Sequence, residues 1–398
     1  MNGNGHRGAD KLSHTQLTAL VWAGVLAPAA ELLPALTLPV AGKGAWLAPV
    51  AAIPLVLLGG WALGMLAGGE GLAASLRAFP GRWPGVPILI IYMVWGQMLL
   101  AVRLRLCARR LLASGYRDGA LWFFLLAVAV LVWWIGRGRL SAFARSAQLF
   151  LTVLLVTGAV VLLLSLPKAE PERVLPLWRG DVVPVLWSAL SAAGALGWGL
   201  FGAFFTGTLE PRPSKGRWYG RFWGVGGCVL LALSQWIILA SLGQTLTGRL
   251  DDPFFTLAKS VGVEGAFQRV ESVIVALWTL ADVSMGALLL FAQRAVWREL
   301  WPRAQEERVA AVSLILAAAL ALAVFSNNTA EEWGRRVIPA GNLLLGLILP
   351  LLLLFVRELF SEKDTKEQHF VHKKEVKGQD IVVEKDVEKK GEKGEKRC

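Results

Sequence analysis

Apolar runs of about twenty residues recur along this chain, and they decide most of what it can fold into. A helix needs about 20 apolar residues to cross the ~30 Å hydrocarbon core of a bilayer. The runs fall at 15–38, 46–68, 85–108, 119–136, 146–166, 183–207, 222–246, 268–293, 309–326 and 338–359. Inside lipid every backbone N–H and C=O must be paired within the protein, which leaves helices or a closed barrel. These runs are continuous and lack the alternation of barrel strands. The expected fold is therefore an all-α integral membrane protein of about ten transmembrane helices. Composition agrees: 55% of the residues are hydrophobic, more than a soluble domain of this length would carry.

The formal charge of +12 resides almost wholly outside the last 38 residues, which hold 11 Lys/Arg against 10 Asp/Glu. The arginines sit between apolar runs, which points to lipid headgroups and topology instead of nucleic acid. Residues 1–14 read as a cytoplasmic N-terminal tail, 15–360 as the membrane domain, and 361–398 as a charged, disordered C-terminal tail. An even number of spans puts both termini on one side, and the Lys/Arg distribution outside the 103–117 stretch favours the cytoplasm. Cys107, Cys228 and Cys398 show no metal or redox spacing, and His6, His14, His369 and His372 all lie outside the runs. No phosphate loop, nucleophile elbow or zinc-protease motif is present, so neither an enzyme nor a cofactor is expected.

Function in a lipid-spanning chain shows where regular apolar helix is interrupted. Span 1 contains Pro28, Pro34 and Pro39, with Glu31 between the first two. Span 6 reads Gly194-Ala195-Leu196-Gly197-Trp198-Gly199-Leu200-Phe201-Gly202. Proline removes a ladder donor, and clustered glycine weakens a helix. These are the first spans of two groups of five, and interruptions at matching positions of two halves point to a binding site. Close helix packing by small residues is the plainer alternative. Span 8 carries Glu271, Trp278 and Asp282; eleven residues at about 100° each bring both acids to one face, roughly 16 Å apart. A charge in the bilayer core is costly unless paired or wetted. No mid-span Lys or Arg offers Glu31 a partner, so a ligand ammonium or a proton is expected there, with Tyr92 and Gln97 of span 3 as neutral liners. Arg103, Arg105, Arg109, Arg110 and Arg117 read as a basic cluster at the outer end of span 3, able to steer a ligand or to bind lipid.

The segment Leu12-Ser13-His14-Thr15-Gln16-Leu17, the stretch ending Leu33-Pro34, and the run into Glu210-Pro211 form an ordered set with Gly265-Ala266-Phe267-Gln268-Arg269-Val270-Glu271-Ser272 and Trp278. Together they resemble the spore germination GerAB family over residues 12–358. The resemblance implies a LeuT-like amino acid–polyamine–organocation fold, a five-plus-five inverted repeat with broken helices 1 and 6. It implies the B subunit of a nutrient germinant receptor in the spore inner membrane, partnered by an A-type subunit and a C-type lipoprotein. It also implies a small amino-acid-like ligand, such as L-alanine, held where permeases hold substrate. By position the helix-1 break falls on Ala27-Pro28-Ala29-Ala30 and the helix-6 break on Gly194 to Gly202; Arg105, Glu210 and Glu271 match family residues. Ala27 and Ala29 stand where the family has a Gly-x-Gly, and Glu31 where an apolar residue is usual. A permease working by alternating access is the other reading.

Overall fold

A computed structural model of the chain describes residues 11–79, 82–114, 119–175, 177–210, 216–250, 252–260 and 270–359. The expected tails at 1–10 and 361–398, Arg117, Pro211 and the segment 265–269 lie outside the described residues. The chain divides into two units, Met1–Leu351 and Leu352–Cys398, the second described only at 352–359, which is helical. The described residues are helices and their connections, with a single isolated bridge between Leu12 and Leu209.

The principal helices are α1 (His14–Ala41), α2 (Ile53–Ala67), α3 (Arg82–Ala113), α4 (Leu121–Gly136) and α5 (Leu140–Ser165). After them come α6 (Val182–Leu196, continuing as the 3-10 helix Gly197–Thr208), α7 (Gly216–Leu242), α8 (Val270–Leu300) and α9 (Glu306–Ala323). The last, α10 (Asn328–Leu359), holds two π turns at Trp333–Val337 and Leu344–Ile348. Seven helical runs among the described residues are long and apolar enough to cross a membrane, and the first, His14–Ala67, contains both α1 and α2. The shorter apolar α4 and the charge-fronted α9 are the helices found where the remaining two of the ten spans were expected.

Local sequence sets the ends. Ser13 caps α1: its hydroxyl accepts from the Gln16 N–H (3.2 Å) and the Gln16 side chain accepts from the Ser13 N–H (3.0 Å). This reciprocal box satisfies two otherwise orphaned donors. Leu12, placed in the expected tail, is fully buried instead, donating to Thr208 O and accepting from the Glu210 N–H. The entry segment and the end of α6 are thereby joined.

The expected break in helix 1 is not found: α1 is one α-helix of 28 residues with Pro28, Pro34 and Pro39 inside it. Proline weakens a helix locally, but α1 is enclosed by α5, α6, α7 and α8. Burial along Leu20–Pro34 holds it in register against the missing donors. Helix 6 does change at the expected place. Its α geometry ends at Leu196 and twelve residues of 3-10 helix follow, far longer than the usual one-turn piece. At the centre lies α8, whose apolar window is 78% buried against 33% for the peripheral α5.

Candidate functional site

α8 packs on both α1 and α3, and four ionisable side chains of these helices meet a fifth, Asp252, from the connection before α8. Arg103 and Arg110 of α3 are seven residues apart, about 20° from eclipsed on a helix, so they share a face. Arg103 Nη2 bonds Asp282 Oδ1, and Arg110 Nη1 bonds Asp282 Oδ2 at 2.5 Å. Glu31 Oε2 stands 2.6 Å from Arg110 Nη2 and 3.8 Å from Arg103 Nη2. Asp252, just before the short helix Pro253–Ser260, reaches Arg110 Nε at 3.8 Å. Arg103 and Asp282 are each only 1% exposed. Glu31 therefore has arginine partners, contrary to expectation. α3 runs to Ala113, five residues past the expected end of the span, so its arginines lie within the bundle. The expected basic cluster splits by face: Arg103 and Arg110 turn inward, while Arg105 donates to Ala321 O (3.3 Å) and Arg109 pairs with Glu331.

Trp198, at the start of the 3-10 segment of α6, is fully buried with Arg103 Cζ 5.4 Å from its ring centroid. Arg103 Nε and Nη1 and Trp198 Nε1 have no hydrogen-bond partner among the described residues. Buried donors left unpaired are expensive. Two neighbouring side chains carry the three, and such donors are the kind that receive a carboxylate. Outside the spans, burial pushes the Asp252 carboxyl up to about 6; Glu31 adds to the rise, while Arg110 and the Phe255 N–H oppose it. Among the described residues no group of three or more His, Cys, Asp or Glu side chains is arranged to hold a metal ion.

Beside the cluster lies a small, open, mostly apolar cleft between α1, α5 and α7. Ala27 and Ala30 of α1 line it with Trp278 of α8 and Phe254, whose rings stack at 4.7 Å, and Ser234. Each apolar wall adjoins a charge: Ala30 precedes Glu31, Trp278 is one turn from Asp282, and Phe254 is two residues from Asp252.

The structure thus brings Glu31, Trp198 and Asp282 to the cluster and Ala27, Ala30 and Trp278 to the cleft. Pro28 and Ala29 are buried in α1. Tyr92 and Gln97 are occupied in helix contacts, Tyr92 donating to Leu345 O and Gln97 to Ser313 O, both at 2.7 Å. Gly194 and Gly197 lie against α10, where an added Cβ would meet Pro339 and Asn342; Gly199 lies against Val21 of α1. Glu271 is in the first turn of α8, its side chain outside the described residues. Sequence reasoning named Arg103 and Arg110 only as part of a basic cluster at the outer end of span 3, and it missed Asp252. The seven-residue spacing of the two arginines was the available signal; for Asp252 none was.

Comparison with known proteins fits this architecture. The structure of MhsT in complex with L-phenylalanine is similar at a TM-score of 0.59 and 12% identity, covering 87% of this chain and 97% of that one. A mutant of the manganese transporter from Eremococcus coleocola is similar at a TM-score of 0.54 and 13% identity, covering 85% of this chain and 76% of that one. At such identities the likeness speaks for the fold, which is the LeuT-type transporter fold. No curated protein matches the sequence at a significant level. The family model described as spore germination protein (Spore_permease) matches residues 11–332, most of the membrane domain including the cluster and the cleft, and the chain belongs to that family.

Proposed function

We propose that this chain is the permease-like B subunit of a nutrient germinant receptor in the spore inner membrane. It binds a small amino-acid-like ligand among α1, α3, α6 and α8. One observation carries the reading: a fully buried Arg103 with two unpartnered donor nitrogens beside the unpartnered indole N–H of Trp198. A ligand carboxylate accepts from these three donors, and its ammonium is drawn to Glu31, at the edge of a cluster with one carboxylate in excess. The amino-acid complex of MhsT supports this choice of ligand class. Asp282, engaged by both arginines, serves to hold them in place. Signalling requires the ligand to favour one of two helix arrangements over the other, since equal affinity shifts nothing. The A-type subunit and the C-type lipoprotein are the receivers of that shift.

The test is calorimetry of the full-length protein in lipid nanodiscs against a panel of amino acids. Trp198→Phe, which keeps the ring and removes one donor, is expected to weaken binding about tenfold, the worth of one charge-assisted hydrogen bond. Glu31→Gln is expected to weaken amino acids more than their amine-free analogues. Unchanged affinity in both variants would overturn the site. The likeness to a manganese transporter favours alternating-access transport as the second reading. Concentrative uptake by the lone protein in proteoliposomes would select it.

A further inference from the structure

The buried cluster sets three carboxylates (Glu31, Asp252, Asp282) against two guanidiniums (Arg103, Arg110), so with every group ionised it carries one net negative charge. A buried charge without compensation is unfavourable. Three charged side chains face Asp252: Glu31 of α1, Arg110 of α3 and Asp282 of α8. Arg103 and Cys107 of α3 stand behind them, against Asp282. The short helix after Asp252 also packs on α5 and α7, whose described residues set no charge against it. On the short helix of Asp252 itself, Lys259 sits over the Phe255 ring, 4.5 Å from its centroid. Arg105 and Arg109 turn to α9 and α10. No additional base within the cluster completes the balance among the described residues.

The three acids are unequally compensated. Asp282 is bonded by both guanidiniums, and Glu31 lies 2.6 Å from one and 3.8 Å from the other. Among the described residues Asp252 Oδ2 has only Arg110 Nε, at 3.8 Å, while its Oδ1 accepts from the Phe255 N–H at 3.1 Å. A metal cation would need several oxygen ligands converging at 2.3–2.6 Å or less. No such group of side chains exists among the described residues. The unpartnered nitrogens of Arg103 are donors and cannot bind a cation either. We infer that the cluster is a binding site for one proton, and that Asp252 at the mouth of the bundle is the residue that takes it up from water. At 19% side-chain exposure Asp252 is the most accessible of the three acids, against 14% for Glu31 and 1% for Asp282.

The sign of the stability effect follows. Burial, reinforced by Glu31, lifts the Asp252 carboxyl to about 6, above its ordinary range. Between about pH 4 and about pH 6 the folded protein therefore holds more protons than the unfolded chain, so stability rises as pH falls through that window. The experiment is an infrared titration of the full-length protein in phosphatidylcholine–phosphatidylglycerol nanodiscs, from about pH 8 to about pH 4, alongside thermal unfolding across the same range. Asp252→Asn keeps an acceptor for the Phe255 N–H, so the start of the short helix is preserved. In the natural chain a protonated-carboxyl C=O band is expected with a midpoint near 6, together with a Tm that climbs on acidification. Asp252→Asn should remove the band and flatten that climb. A missing band, a band that survives in Asp252→Asn, or a midpoint that moves when sodium is replaced by choline would each overturn the proposal, the last in favour of a metal cation.

Discussion

At the scale of single residues, Asp282 governs the site because two guanidiniums from one face of α3 converge on it. Removing one partner from a buried pair costs about 3–5 kcal/mol, since the other charge is left without compensation. Arg103→Ala is therefore expected to lower the unfolding temperature of the purified protein steeply. Asp282→Asn should cost less in that background than in the natural chain, because part of its partnership is already gone. Apparent stabilities of the four proteins in bicelles give the coupling directly, and additive effects would show that the pair is not an energetic unit. Glu31 and Asp282 could be picked out of the sequence because a carboxylate inside an apolar run has no cheap explanation. Their partners could not be picked out by hydropathy, which ends a span where arginines accumulate. In the fold the acids on α1 and α8 compensate those arginines, and α3 continues to Ala113.

At the scale of elements, the two proposed interruptions came out differently. Glycine in span 6 marked a real change of helix type, since Gly197 opens the 3-10 segment. Proline in span 1 did not, because four neighbouring helices hold α1 in place. The glycines also act by absence of volume. A Cβ on Gly194 would run into the backbone carbonyl of Pro339, and α10 is tied to the same stretch of backbone by Asn342 Nδ2 donating to Gly194 O at 3.2 Å. Asn342 Oδ1 in turn accepts from Trp95 Nε1 at 3.0 Å, so one amide links α3, α6 and α10. Gly194→Ala is expected to destabilise by about 1–3 kcal/mol, the range for overpacking against a rigid neighbour. Gly226→Ala on α7, where nothing lies within 4 Å, should be neutral or stabilising by up to about 1 kcal/mol through helix propensity. Equal losses at both positions would show that close approach of α6 to α10 is not what the glycine serves. Sequence revealed that small residues cluster here but not which helix they face, because the partner, Pro339, lies four spans further along the chain.

At the scale of the whole molecule, hydropathy alone gave the all-helical membrane fold, and seven helical runs among the described residues are long and apolar enough to span, because the requirement to pair every backbone group inside lipid leaves so few solutions. It could not say which faces meet, and that is where the cluster arises: α1, α3 and α8 are brought together by the winding of the two groups of five. The same winding fixes a topological prediction. Ten crossings return the chain to the side on which it starts, and the lysine and arginine distribution between spans favours the cytoplasm for that side. Cys107 and Cys228 are both buried, so a membrane-impermeant maleimide reports on Cys398 at the end of the chain. Inverted membrane vesicles should label, intact protoplasts should not, and Cys398→Ser should abolish the signal in the vesicles. In this orientation the C-terminal half of α1 and the N-terminal half of α8, which carry Glu31 and Asp282, lie toward the outer face, as does Asp252 in the connection between α7 and α8. A nutrient arriving from outside would then meet Asp252 before it meets Arg103. Labelling in protoplasts but not in inverted vesicles would reverse that order and place the cluster toward the cytoplasm.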